Sequence, residues 1–138
     1  MNRKTLSGLS ETPVERIRFY TERGLITVRE LRTGRGRERD YSTENFFELM
    51  LIKELAQYGV GLDRVAYILE EARKRSLIFK PEAHESPAQK YIWVSKDDVV
   101  FGQYTPDDQG WISIRMKEDP SVLLINTSKI WAFVKASV

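Results

Sequence analysis

The 138-residue chain contains no cysteine and a single histidine, and these two scarcities exclude several kinds of site. Without cysteine there can be no disulfide, no thiol redox switch and no thiolate metal site. His84 lies between Pro81 and Pro87 in a segment with the composition of a linker. We therefore expect His84 to be exposed and inert rather than a metal ligand or a pH sensor. The sequence predicts no metal site and no cofactor.

Long apolar runs and catalytic groupings are also missing. No stretch is long enough to span a bilayer and residues 1–10 lack a signal-peptide pattern, so we expect a cytoplasmic protein without membrane contact. The pairs Asp97-Asp98 and Asp107-Asp108 fall in apparent turns, where aspartate bonds to the local backbone. No nucleophile is paired with a base, and no glycine-rich loop is built to hold a phosphate. We predict no catalytic residues and no enzyme activity.

Positive charge is concentrated in the first part of the chain. Residues 1–40 carry ten Lys/Arg against six Asp/Glu, residues 41–80 carry six of each, and residues 81–138 carry six against eight. This asymmetry favours a polyanionic partner for the first part and argues against nucleic-acid binding by the last.

The segment Thr12–Ile26 has the pattern of a short amphipathic helix that ends near Gly24. Val14 and Ile17, followed by Tyr20 or Thr21, recur at helical spacing, so one side of the helix can pack inward. The other side carries hydrogen-bonding and phosphate-binding side chains of the kind that fit a DNA groove. Solvation of an ordinary helix surface is the alternative role for its arginines.

An arginine-rich loop, Val28–Tyr41, follows this helix with five arginines and no lysine. Glycines near its centre predict a hairpin between two short strands, with arginines on or near the tip. A guanidinium group can donate two parallel hydrogen bonds to the oxygens of one phosphate. We therefore predict contact with a DNA backbone or minor groove. A solvated loop and a surface for an acidic protein are the alternatives. The candidate contacts are Arg32, Arg35, Arg37 and Arg39.

Residues from about Leu6 to Leu69 resemble the MerR family of bacterial transcription regulators. The residues that carry the resemblance are Ile17, Arg18, Phe19, Tyr20, Gly24, Leu25 and Ile26, then Arg39–Ser42, then Leu49, Ile52, Lys53, Leu55, Gly59, Leu62 and Val65. The resemblance implies a winged helix-turn-helix that binds double-stranded DNA as a homodimer at a two-fold related promoter site. RNA polymerase is the further partner that such a regulator implies.

The resemblance also implies roles for single residues of the amphipathic helix. Arg18 and Tyr20 match the family's pair that grips phosphates beside the recognition helix. Phe19 stands where the family often has tyrosine, so it lacks one hydroxyl that could contact phosphate. Glu15 and Arg16 lie where family members vary, which makes them candidates for reading base edges.

In the hairpin, Arg39 and Tyr41 match the family's phosphate contacts. For Tyr41 the alternative is that an aromatic side chain at a strand end closes the hydrophobic core. The complete set of candidate DNA contacts is Pro13, Glu15, Arg16, Arg18, Phe19, Tyr20, Arg32, Arg35, Arg37, Arg39 and Tyr41.

The chain departs from the MerR pattern in two places. The turn Ser10–Pro13 lacks the usual glycine, and we expect Pro13 to be the first helical residue with Thr12 as its cap. After residue 75 there is no long dimerisation helix. The basic run at residues 73–75 instead predicts a helix C-terminus, with an extra phosphate contact as the alternative.

Beyond residue 90 the pattern changes to short runs rich in aromatic and branched residues. These predict strands at Tyr91–Ser95, Val99–Tyr104, Trp111–Met116 and Val122–Asn126, and a final helix capped near Thr127 or Ser128. We expect the aromatic side chains to form a core, with a ligand pocket or a subunit interface as alternatives. The predicted role of this unit is dimerisation or effector binding.

The fold class predicted is therefore α+β. A winged-helix DNA-binding domain at residues 1–78 is joined by a linker at 79–89 to a small antiparallel β-sheet unit with a C-terminal helix at 90–138. The predicted function is that of a sequence-specific, homodimeric transcription regulator of MerR type. Two alternatives remain: an excisionase-like architectural protein that bends DNA, and an interaction adaptor whose basic hairpin docks on an acidic protein.

Overall fold

The computed structural model describes residues 1–33, 36–75, 89–104, 117 and 121–138, and for residues 29–33, 36–38 and 104 it describes the backbone alone. The first part of the chain, which we call the head, consists of α1 (Arg3–Ser10), α2 (Val14–Glu22), β1 (Arg29–Thr33), β2 (Gly36–Asp40), α3 (Thr43–Gln57) and α4 (Leu62–Lys74). The second part, the tail, consists of β3 (Gln89–Val94), β4 (Val99–Tyr104), β5 (Leu123–Asn126) and α5 (Thr127–Ser137). The predicted α+β class is confirmed.

All strand pairs in the described part of the chain are antiparallel. Strands β1 and β2 form a two-stranded ribbon, and the tail forms a three-stranded sheet in the order β4-β3-β5. Three of the four strands predicted for the tail are present with ends shifted by at most two residues. The fourth, Trp111–Met116, lies outside the described residues, as do the turn before it and His84.

The starts of α3 and α5 are stabilised by side-chain oxygens that accept hydrogen bonds from backbone N–H groups. In α3 the Ser42 hydroxyl accepts from the Asn45 amide at 3.1 Å while the Asn45 side chain accepts from the Ser42 amide at 2.9 Å, which forms a capping box. In α5 the Asn126 side chain accepts from the Lys129 amide at 3.0 Å. The cap thus lies one residue before the positions near which it was predicted, Thr127 and Ser128, because the strand-to-helix junction turns at Asn126.

Head and tail share one hydrophobic core. The Phe47 ring of α3 meets Trp131 of α5 edge to face, with centroids 5.4 Å apart. Phe46 meets Phe133 in the same way at 6.2 Å. Trp131 is 1% exposed and belongs to the buried cluster that also contains Phe47. The core interpretation of the tail aromatics is thus confirmed for Trp131.

Helix α4 also joins the head to the tail. The Arg64 guanidinium donates to the backbone carbonyls of Ser95 and Asp98, which close the turn between β3 and β4. The Arg75 guanidinium lies 4.6 Å from the centroid of the Phe101 ring in β4. The domain boundaries predicted at residues 78 and 90 stay a prediction, because residues 76–88 lie outside the described part of the chain.

The end of α4 agrees with the C-terminal signal of the basic run, since the helix stops at Lys74. Arg75 and Lys74 both donate to the Glu71 carboxylate, at 2.7 and 3.2 Å. The hydrogen bond from Arg75, followed by that from Lys74, lowers the pKa of Glu71 below its ordinary value. The same bond to Glu71 raises the pKa of Lys74.

In the described residues, every helix is too short or too polar to cross a bilayer.

Candidate nucleic-acid interface

Helix α2 presents a mostly charged outer face, because Ile17, Tyr20 and Thr21 point into the head. Ile17 is fully buried, and Tyr20 and Thr21 are nearly so. The Thr21 hydroxyl donates to the Ile17 carbonyl at 2.7 Å, so even this polar residue is satisfied on the inner side. The residues left exposed on and around α2 are Pro13, Glu15, Arg16, Arg18, Phe19, Glu22 and Arg23.

The turn before α2 is built without glycine. Glu11 adopts φ 50°, the left-handed conformation that glycine reaches more easily. The Ser7 hydroxyl donates to the Thr12 carbonyl at 2.6 Å and holds the turn closed. The predicted Thr12 cap was wrong: its hydroxyl donates backwards to the Ser10 carbonyl at 3.2 Å, and Pro13 occupies the cap position without a side-chain hydrogen bond.

The exposed face of α2 holds its cations through weak contacts. Arg18 pairs with Glu15 at 3.3 Å, one turn away and open to water. The Arg23 guanidinium lies 4.9 Å from the centroid of the Phe19 ring, which is 37% exposed. Exposed pairs of this kind contribute little stability, so both arginines can exchange their partner for a phosphate at small cost.

The hairpin predicted from the arginine-rich loop is confirmed as the β1–β2 ribbon. Its register places Arg29 opposite Asp40, Glu30 opposite Arg39, and Arg32 opposite Arg37. The connection between the strands contains Arg35, which lies outside the described residues. Backbone pairing thus sets two arginine positions directly across from each other close to the tip.

At the base of the ribbon, Tyr41 lies inside the protein. It is 1% exposed, and its hydroxyl lies 3.0 Å from the Thr21 hydroxyl and accepts from Arg3 Nε at 3.2 Å. The Met1 amine donates to Asp40 Oδ1 and to the Tyr41 carbonyl, both at 2.8 Å. These bonds favour the core interpretation of Tyr41 and tie the end of the ribbon to α1 and α2.

These elements form a helix-turn-helix (α1 and α2), a ribbon in the position of a wing, and a helical pair (α3 and α4). Residues 1–72 match the family model described as MerR HTH family regulatory protein, which is just over half of the 138 residues. The chain belongs to the MerR HTH family. It is a DNA-binding regulatory protein at that level of description, and HTH domains of this family are regulators rather than enzymes. No curated protein is significantly similar to it.

The residues of the MerR motif differ in exposure, since some lie on the surface and others are buried. Arg18 is exposed on α2, whereas Tyr20 and Tyr41 are at most 4% exposed. Arg39 is half-buried at the base of the wing. The phosphate contacts that the MerR resemblance implies for these residues stay predictions, and burial favours a packing role for the two tyrosines.

Two basic residues near this surface were missed by the sequence reasoning. Arg23 follows Phe19 by four residues, so helical spacing alone could have placed it on the same exposed face. Arg3 is recognised only from the structure, because its partner Tyr41 lies 38 residues away. In this MerR head Arg23 extends the cationic surface, and Arg3 supports the base of the wing.

Proposed function

We propose that this MerR-family protein is a sequence-specific transcription regulator that inserts α2 into a major groove. Glu15, Arg16 and Arg18 lie on the exposed side of α2, opposite the buried Ile17. An α-helix with such a face fits the width of the major groove and offers donors and acceptors for base edges. The observation that carries the proposal is this exposed face of α2 beside the wing. The contact between the Thr21 and Tyr41 hydroxyls joins α2 to the base of the wing.

We propose that the wing holds the flanking phosphate backbone or minor groove. Its register sets the Arg32 and Arg37 positions across from each other near the tip. A guanidinium group binds phosphate oxygens through two parallel hydrogen bonds, which suits arginines at these positions to a DNA backbone. Arg39 lies half-buried at the base of the wing and stays a candidate phosphate contact.

The remaining features of the proposal follow from a regulator that acts on a promoter. We propose a bacterial, cytoplasmic protein without catalytic activity or cofactor, with RNA polymerase as a further partner. A homodimer on a two-fold related site would bring two copies of α2 to successive major-groove faces. Sedimentation velocity with and without DNA tests the dimer, and a monomer at every concentration would contradict it.

The decisive experiment is fluorescence anisotropy with duplex DNA from the region upstream of the protein's own gene, compared with a scrambled duplex. Tight, selective binding that weakens steeply with salt is expected, because each phosphate contact releases a counterion. Weak and unselective binding with DNA bending would favour the architectural alternative. Absence of binding at low salt would overturn the proposal and favour the adaptor.

Variants assign the roles of the two elements. Replacing both Arg32 and Arg37 by alanine should flatten the slope of log K against log salt by roughly 1.8, or 0.9 for each lost phosphate contact. Arg16→Ala should instead reduce discrimination between the two duplexes by a factor of about 10 to 100 if Arg16 reads a base. The matched control replaces the exposed tail residues Lys96 and Lys135, which removes the same charge. If the control flattens the slope equally, the wing has no special role.

A cavity of about 580 Å³ between α3 and the tail supports the effector role for the tail. Met50, Tyr58, Ile130 and Phe133 supply apolar walls, and Glu54 and Lys129 supply charges. Its volume lies within the range of small-molecule sites. Effector binding there should raise the melting temperature of the wild type but not of an Ile130→Arg variant. Equal shifts in both proteins would place the ligand elsewhere.

A further inference from the structure

A buried carboxylate lies behind the segment that joins α2 to the wing. Glu48 of α3 is 4% exposed, and each of its two oxygens accepts two hydrogen bonds. Oε1 accepts from the Thr27 hydroxyl at 3.1 Å and from Arg73 Nε at 3.1 Å. Oε2 accepts from the Thr27 amide and from Asn45 Nδ2, both at 3.2 Å. The carboxylate therefore binds the joining segment, its own helix and α4 at once.

Arg73 and Asn45 hold the same segment by its carbonyl groups. Arg73 Nη2 donates to the Leu25 carbonyl while Nε of the same guanidinium binds Glu48. Asn45 Nδ2 donates to the Thr27 carbonyl at 2.7 Å. Residues 25–27 lie between the end of α2 at Glu22 and the start of β1 at Arg29. The backbone between α2 and the wing is thus held at Leu25 and Thr27 by side chains of α3 and α4.

The arrangement is unlike the rest of the basic run at the end of α4. Lys74 and Arg75 are more than half exposed and pair with Glu71, whereas Arg73 turns inward and is only 28% exposed. Removing two charges from water costs free energy that their attraction does not always repay. A largely buried pair of this kind is therefore weak support for stability, and a geometric role is the better explanation.

We propose that Glu48 and Arg73 are positioning residues that set the wing relative to α2, so that both elements can contact one DNA duplex. The proposal rests on the DNA-binding function proposed above. Neither residue touches DNA in this scheme. Their role is to fix residues 25–27, because rotation of these residues would swing the wing away from the backbone that flanks the groove.

The first test compares DNA binding by Arg73→Lys and Glu48→Gln with matched controls. Lysine keeps the charge but lacks the rigid planar fork through which Arg73 Nε and Nη2 hold Glu48 and the Leu25 carbonyl in one geometry. We expect both variants to bind about tenfold more weakly or worse, with a salt slope flattened by roughly two units as the wing contacts are lost. The controls Arg75→Lys and Glu71→Gln change the exposed pair on the same helix and should bind as the wild type does.

The second test measures wing position without DNA. Because the chain has no cysteine, Glu22→Cys and Glu38→Cys supply the only thiols for two nitroxide labels, one at the end of α2 and one on β2. Electron–electron dipolar spectroscopy should give one narrow distance distribution for the otherwise wild-type protein. Arg73→Lys and Glu48→Gln should broaden or shift it. A distribution as narrow and at the same distance in folded variants would overturn the proposal.

A third variant, Thr27→Val, tests the proposal with a milder change if Arg73→Lys and Glu48→Gln do not fold. It removes the hydroxyl that binds Glu48 while leaving the ion pair with Arg73 in place. We expect a smaller broadening and a smaller loss of affinity, and no change in either would count against the proposal. If the wild type fails to bind DNA, the proposed function fails, whereas the distance measurement still decides whether Glu48 and Arg73 position the wing.

Discussion

Replacing Trp131 by alanine should destabilise head and tail together. Trp131 is 1% exposed and packs against the fully buried Phe47 of α3, so truncation leaves a cavity between the two parts. Removing a buried tryptophan side chain costs about 3–5 kcal/mol. Small domains have a total stability of roughly 5–15 kcal/mol, so this loss is a large fraction of it. We expect one unfolding transition with a lower midpoint.

The chain itself supplies separate probes for the two parts. All three tryptophans, Trp93, Trp111 and Trp131, lie in the tail sequence, so intrinsic fluorescence reports on the tail. Four of the five helices described by the structure lie in the head, so far-ultraviolet circular dichroism reports mainly on the head. In a urea titration the two signals should change together in the wild type and in Trp131→Ala.

A matched control and a clear contrary result complete the test. Phe133 lies on the same helix and contacts Phe46, but it is 47% exposed. Phe133→Ala should therefore cost clearly less, about 1–2 kcal/mol, since only part of its area is buried. If Trp131→Ala lowers the fluorescence midpoint and leaves the dichroism midpoint unchanged, head and tail fold independently and the reasoning from their shared core is refuted.

Three further predictions concern the head. Tyr41→Phe removes a hydroxyl with two hydrogen bonds, so thermal unfolding should show a loss of about 1–2 kcal/mol in the free energy of unfolding. Anisotropy should show unchanged DNA affinity, and a large loss of affinity would favour Tyr41 as a phosphate contact. The hydrogen bond from Arg75 lowers the pKa of Glu71 below its ordinary value of 4.5. The charged Glu71 carboxylate therefore stabilises the folded state above the ordinary value, and this stabilisation is lost as the pH falls through the folded-state pKa. The difference in melting temperature between wild type and Glu71→Gln should therefore shrink on acidification, and a constant difference from pH 7 to pH 2 would contradict this. Gly24 has φ 75°, so Gly24→Ala should destabilise by about 1 kcal/mol, whereas Gly8→Ala, inside α1, should stabilise by roughly 0.5–1 kcal/mol; the same sign for both would refute the conformational argument.

The elements that position the proposed interface could be predicted from the sequence because their signals are local. Apolar residues at helical spacing indicated α2, and glycines within an arginine-rich run indicated the ribbon. The helix caps were harder to predict. Near Thr12, several hydroxyls and carbonyls compete over a few residues, and the winner depends on how the turn is folded.

The sequence by itself determined that α2 and the C-terminal segment are helical, that the arginine-rich run forms the wing and where positive charge is concentrated, because periodicity and composition act within a few residues. Only the tertiary structure decided which way Tyr41 points, that Arg73 binds Glu48 across 25 residues, and that α5 packs on α3. Those outcomes depend on distances between elements that are remote in sequence. Such distances are set by the packing of the whole core rather than by any local pattern.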